Sequence, residues 1–155
     1  MNELVGTVAP NFKLKDKDNK EYHLKDLNND FIVIYFYPKD NTPGCTIEAQ
    51  MFNKDLSKFK ELNTLVLGIS GGDNKSKENF CNKFGLEIPL LSDEDYSVSK
   101  KYNVFGKKKI FGKEIKGISR ITFILDKHKK IIKIFDKVKP KDHSLEVLEF
   151  IKSIK

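Results

Sequence analysis

Two kinds of apolar run alternate along this chain. Residues 31–37 (Phe31, Ile32, Val33, Ile34, Tyr35, Phe36, Tyr37) and 65–70 are short, unbroken and rich in β-branched and aromatic side chains. Such runs read as strands buried on both faces, as in the middle of a sheet with helices packed on either side. After the first run, Ile47, Met51, Phe52, Leu56, Phe59 and Leu62 recur at helical spacing and predict one helix through about residue 62. After the second, a polar-faced helix is expected over about 76–84, ended by Gly85. Residues 88–91 read as a short extended piece, and Ser92 or Asp93 caps a further helix through about Tyr102. Residues 121–125 and 131–135 flank a polar turn and predict an antiparallel hairpin, and 143–154 form an amphipathic closing helix. Near the start, 9–14 and 21–24 alternate around a turn-rich loop and read as another hairpin, whereas the lysine-rich stretch 106–117 reads as a basic loop or excursion.

The order is βαβ units, then a hairpin and a helix. It predicts an α/β thioredoxin-like fold: a central mixed β-sheet flanked by helices, with an N-terminal β-hairpin and a site at the strand ends. Composition changes this picture little. A length of 155 residues suits one domain over 1–155, and 39% apolar residues in clear periods argue against disorder despite 33% charged residues. Two cysteines make no disulfide framework, the first residues lack an export-signal pattern, and no apolar run reaches membrane-spanning length, so a cytoplasmic protein is expected. The net charge of +7 is almost all lysine on the basic side, and Arg120 is the only arginine. A chain that uses lysine wherever an ammonium serves has a reason to look for a planar, bidentate donor at that one position.

Candidate chemistry gathers where the first strand ends. Pro38 stops it, Pro43 and Gly44 open a helix, and Cys45 falls in its first turn. Unpaired first-turn N–H groups and the positive end of the helix dipole favour thiolate over thiol there. Thr42 is placed to aim its hydroxyl at the sulfur or a substrate oxygen, or to cap the helix. Glu48 stands where a dithiol reductase would have its second cysteine. His23, His128 and His143 fall on a hairpin, a turn and the last helix, so no base for a cysteine hydrolase is evident, nor any metal-ligand spacing. The lysines of 107–116 raise the alternative of a basic phosphate- or nucleic-acid-binding module. With one arginine and lysine spread along the whole chain, a solvated surface and no nucleic-acid partner are the expectation.

Pro38, Thr42 and Cys45 form a P-x-x-x-T-x-x-C pattern, and residues 41–48 resemble the bacterioferritin-comigratory-protein or PrxQ subgroup of peroxiredoxins. The resemblance continues through 89–93, 104–106, 117–126 and His143, nearly the whole chain. It implies a thiol peroxidase without metal or organic cofactor, in which Cys45 attacks hydrogen peroxide or an alkyl hydroperoxide and becomes a sulfenic acid. It places Arg120 as the active-site arginine, Thr42 and Pro38 around the thiol, and Glu48 as a subgroup residue whose plainer role is an acid near a helix start. Many subgroup members have a resolving cysteine at the position of Gln50; this chain does not, and Cys81 matches the alternative position on the next helix. Cys81 is thus either the resolving thiol, forming an intramolecular disulfide reduced by a thioredoxin-like dithiol, or a core residue beside Phe80 and Phe84. Two helix-borne cysteines should not lie within bridging distance at rest. Subgroup likeness implies a monomer.

Overall fold

The computed structural model describes residues 3–110 and 112–155; Met1, Asn2 and Phe111 lie outside the described residues. In chain order the elements are β1 (Lys13–Lys15), β2 (Glu21–His23), a 3-10 turn (Leu24–Asp26), β3 (Phe31–Phe36), α1 (Pro43–Lys54), α2 (Leu56–Glu61), β4 (Thr64–Ser70) and α3 (Asn74–Phe84). They continue with β5 (Leu90–Ser92), α4 (Ser97–Lys101), β6 (Phe105–Ile110), β7 (Lys113–Ile118), β8 (Ile121–Leu125), β9 (Ile131–Phe135) and α5 (His143–Ile154). The main sheet has the order β2-β1-β5-β4-β3-β8-β9, with β3, β4 and β5 parallel and β8 antiparallel to β3. This is the thioredoxin-like mixed sheet expected, with the β1–β2 hairpin at one edge.

The unbroken apolar runs are the reason the sheet has a core on each face. Alternation along β3 sends Ile32, Ile34 and Phe36 into one cluster with Leu67, Ile69 and Phe123, and Val33 and Tyr35 into another with Phe52, Val66 and Ile124. Because β8 runs against β3, pairing Ile121 with Phe36, the residue just before β8 lies at the end of β3 from which α1 departs. That residue is Arg120. Since β4 is parallel to β3, α3 also begins at this end of the sheet.

Four expectations are corrected. The helix through residue 62 is two helices: Asp55, at φ −91° and ψ 6°, leaves helical geometry and its carboxylate accepts a hydrogen bond from Ser144 on α5 at 2.9 Å. Phe52 of the first piece and Phe59 of the second still pack in one core cluster, whereas Ile47, 43% exposed, lies off that face. The helix ending near Tyr102 is only Ser97–Lys101, with Tyr96 in the cap position. Asp93 still serves its first turn, accepting from the amides of Val98 and Ser99 at 3.2 and 2.7 Å. The basic stretch 106–117 is not a loop but the β6–β7 hairpin, whose described side chains are mostly exposed, so no apolar alternation marks it. The N-terminal hairpin is shorter than expected: residues 6–9 cross to the other side of the sheet, where Gly6 and Ala9 donate to the carbonyls of Ile131 and Lys129.

Candidate active site

The β3–α1 connection places the thiol. Tyr37 still bonds to Ile69, Pro38 has no N–H to continue the ladder, and Asn41 takes a left-handed φ of 60° that turns the chain into α1. Thr42 is the residue before α1, Pro43 fills its first position, and Cys45 lies in the first turn. The Thr42 hydroxyl does not cap the helix amides. It donates to the Lys39 carbonyl at 3.0 Å, which fixes the loop, while the Thr42 carbonyl accepts from Thr46.

Cys45 is 1% exposed and packs among Tyr35, Ala49 and Phe52, so it is better buried than a reactive thiol read from sequence would be. Its sulfur is nonetheless not an inert core atom. Arg120 Nη2 donates to Cys45 Sγ at 3.3 Å, and Nη1 of the same guanidinium donates to Glu48 Oε1 at 2.8 Å. The fork that lysine lacks is used in full: one arm is anchored to a carboxylate and the other is presented to the thiol. Gly44 leaves room for it, since a Cβ there would sit 3.1 Å from Arg120 Nη2. Burial works against the charge of Arg120, but Cys45 and Glu48 outweigh it and hold the guanidinium above its ordinary pKa.

Glu48 is not simply an acid near a helix start. It is fully buried, and burial raises its pKa from the ordinary 4.5 to about 7 against the opposing pull of Arg120. Its Oε2 and the nearby Tyr35 hydroxyl have no hydrogen-bond partner among the described residues. Cys81, on α3, is 5% exposed and packs in the same cluster as Cys45; burial pushes its thiol up to about 11. Both cysteines are free thiols. Pro38 and Thr42, with Gly71, Tyr96 and Ile115, line a groove beside the loop.

Three groups at this end of the sheet have contacts that the sequence did not disclose. His143 is buried, with Nε2 2.7 Å from Thr122 Oγ1 and Nδ1 3.0 Å from Glu146 Oε1, two residues beyond Arg120 on the β8 side. Burial lowers its pKa, and both ring nitrogens are engaged, so it braces β8 rather than facing the sulfur. Lys77 and Asp40 form a buried ion pair at 2.8 Å beneath the loop. A signal for Lys77 did exist: with Phe80, Cys81 and Phe84 it falls at the i, i+3, i+4, i+7 positions of one helix face. His23 and His128 lie in the β1–β2 hairpin and the β8–β9 turn, where they bond Asn11 and Asp126.

The AhpC/TSA family model matches residues 5–134. A Helicobacter pylori relative is 45% identical over 145 residues, covering 94% of this chain and 95% of that protein. Peroxiredoxin Bcp of Bacillus subtilis is 39% identical over 150 residues, covering 97% and 96%. Among solved structures, a cysteine-to-serine variant of Xylella fastidiosa PrxQ superposes with a TM-score of 0.90 at 35% identity, covering 97% of this chain and 96% of that one. With a thiol under a guanidinium at the end of the sheet, this similarity over almost the whole length has one meaning: the chain belongs to the AhpC/TSA family, as a peroxiredoxin of the Bcp/PrxQ subgroup.

Proposed function

We propose that this peroxiredoxin reduces hydroperoxides at Cys45, and that Cys81 resolves the oxidised thiol. The carrying observation is the single guanidinium that spans Glu48 and the Cys45 sulfur. The Cys45 thiolate attacks the terminal oxygen of ROOH, the O–O bond breaks, and the leaving RO⁻ takes up a proton as ROH. Negative charge grows on that oxygen in the transition state, and donors fixed beforehand by the fold stabilise it without reorganising. Arg120 Nη2 and the free first-turn amides of α1 are such donors, with Thr42 holding the loop in place. The groove walled by Pro38, Tyr96 and Ile115 would seat the carbon chain of an alkyl hydroperoxide, which extends the substrates beyond hydrogen peroxide.

The product is a Cys45 sulfenic acid. Attack by the Cys81 sulfur forms a disulfide and releases water, and a thioredoxin-like dithiol returns both cysteines to thiols. Two free thiols in the resting fold suit a reducing cytoplasm. The test is steady-state peroxide consumption coupled to a thioredoxin system. Cys45→Ser should abolish it, and Cys81→Ser should permit one turnover without thioredoxin-coupled cycling. Full cycling in Cys81→Ser would assign a one-cysteine mechanism with Cys81 structural, and residual cycling in Cys45→Ser would remove Cys45 from its role.

A further inference from the structure

Lys77 is a lysine with no exposure to solvent, in the helix that carries Cys81 one turn later. Its ammonium donates three hydrogen bonds: to Asp40 Oδ2 at 2.8 Å, to Ser70 Oγ at 2.8 Å and to the Gly71 carbonyl at 2.6 Å. Asp40 is equally occupied. Its Oδ1 accepts from the Tyr37 hydroxyl and its Oδ2 also from Ser76, each at 2.6 Å. All three ammonium donors and both carboxylate oxygens are therefore satisfied. A buried ion pair of this kind contributes little net stability over an apolar pair of the same size, but it is costly to break because each partner stranded alone is an uncompensated charge. It works as a clamp rather than as glue.

What it clamps is specific. Asp40 belongs to the loop that leads into Thr42 and Cys45, Ser70 ends β4 with Gly71 just beyond it, and Lys77 lies in the first turn of the helix of Cys81. Disulfide formation needs the two cysteine Cα atoms within about 7 Å, and in this fold both thiols are free and buried on separate helices. Movement of one segment against the other has to pass through the Lys77–Asp40 pair, which joins them. We propose that the buried Lys77–Asp40 pair is a latch holding the Cys45 loop and the Cys81 helix in the reduced arrangement, and that its opening sets how fast oxidised Cys45 is resolved. This rests on the assignment of Cys45 and Cys81 given above.

Two reactions then compete for the sulfenic acid. In one, the Cys81 thiolate attacks Cys45 Sγ, the S–O bond breaks, the S–S bond forms, and the departing hydroxide leaves as water with the proton Cys81 gave up. In the other, Cys45 sulfenate attacks a second hydroperoxide, the O–O bond breaks, and a sulfinic acid and ROH result. A closed latch delays only the first. Lys77 and Asp40 are positioning residues, touching neither peroxide nor sulfur.

The test compares wild type with Lys77→Met and with the double variant Asp40→Asn, Lys77→Met, which removes both charges and so avoids a stranded carboxylate. Reduced protein is mixed with one equivalent of hydrogen peroxide, quenched by alkylation and weighed; a second series raises the peroxide and counts sulfinic acid at Cys45. The double variant should form the Cys45–Cys81 disulfide about tenfold faster and need correspondingly more peroxide for half conversion to sulfinic acid. Amide exchange should quicken over residues 38–45 and 74–81 while β3 and β4 stay protected. Unchanged or slower resolution in the folded double variant would overturn the latch, as would exchange that quickens across the whole sheet. If wild type itself forms no internal disulfide, the assignment of Cys81 fails and the latch falls with it, a result visible without any variant at Lys77 or Asp40.

Discussion

Glu48→Gln isolates the charge buried behind Arg120. The wild-type side chain has no solvent exposure, one oxygen bonded to Arg120 Nη1 at 2.8 Å, and one without a partner among the described residues. Burial takes its pKa from 4.5 to about 7 despite Arg120. A carboxyl that binds its proton more tightly in the folded state makes its contribution to stability in full below the unfolded pKa, and that contribution drains as pH rises through about 7. The separation of the two values corresponds to on the order of 3 kcal/mol. Glutamine keeps the shape and the acceptor for Arg120 but does not titrate. Urea unfolding of both proteins, followed from about pH 4.5 to 8.5, gives the difference in stability at each pH. His143 has the opposite sign, since burial lowers its pKa and its contribution is lost as pH falls below the ordinary histidine value, but it is present in both proteins and cancels in the difference. Wild type should lose about 3 kcal/mol relative to Glu48→Gln between pH 4.5 and 8. A flat difference, or wild type gaining on the variant as pH rises, would mean that Glu48 is held fully ionised by Arg120 and that burial is not the dominant effect.

Three further outcomes follow from the same geometry. Arg120→Lys replaces a fork by a point charge that cannot hold Glu48 and the sulfur together, so the single-turnover peroxide rate should fall about a hundredfold by stopped flow with the midpoint of unfolding little changed. Gly44→Ala improves helix propensity but puts a Cβ 3.1 Å from Arg120 Nη2, so it should slow the same step on the order of tenfold by displacing the guanidinium; an unaltered rate would show that its position is not critical. The Cys81 thiol, moved by burial from 9.0 to about 11, should have about a hundredfold less thiolate near neutrality than in the unfolded chain, and alkylation of the reduced protein followed by peptide mass should show at least that slowing.

The site was legible in sequence to the extent that chemistry depends on short local spacing. Pro38, Thr42 and Cys45 fall between positions 38 and 45 at a strand-to-helix turn, and Arg120 was marked by being the only arginine; topology alone brings them together, because β8 is antiparallel to β3. The buried strands were legible because their apolar runs are continuous. The β6–β7 hairpin was not, because it is lysine-rich and its described side chains are mostly exposed apart from Ile118 at the end of β7, which leaves little alternation to read. Lys77 goes unremarked in the sequence, and the plainer reading of Glu48 as an acid near a helix start falls short of its burial, for a shared reason: the partner of a charged helix residue is not visible in local spacing. Their partners, Asp40 and Arg120, are 37 and 72 residues away in the chain. Asp93 was recognised as a capping residue but reaches α4 from beyond its first position, which spacing rules for adjacent caps do not anticipate.

The central claim is that the Cys45 sulfur, under Arg120, takes the oxygen from the peroxide. Its most direct measurement uses Cys81→Ser, in which no internal disulfide can form: reduced protein receives one equivalent of hydrogen peroxide in the presence of a 1,3-dicarbonyl that traps sulfenic acids, and tryptic peptides are mapped by mass. The account predicts one adduct, on the peptide carrying Cys45, formed as fast as peroxide disappears. Peroxide consumed with Cys45 left as an unmodified thiol would contradict it.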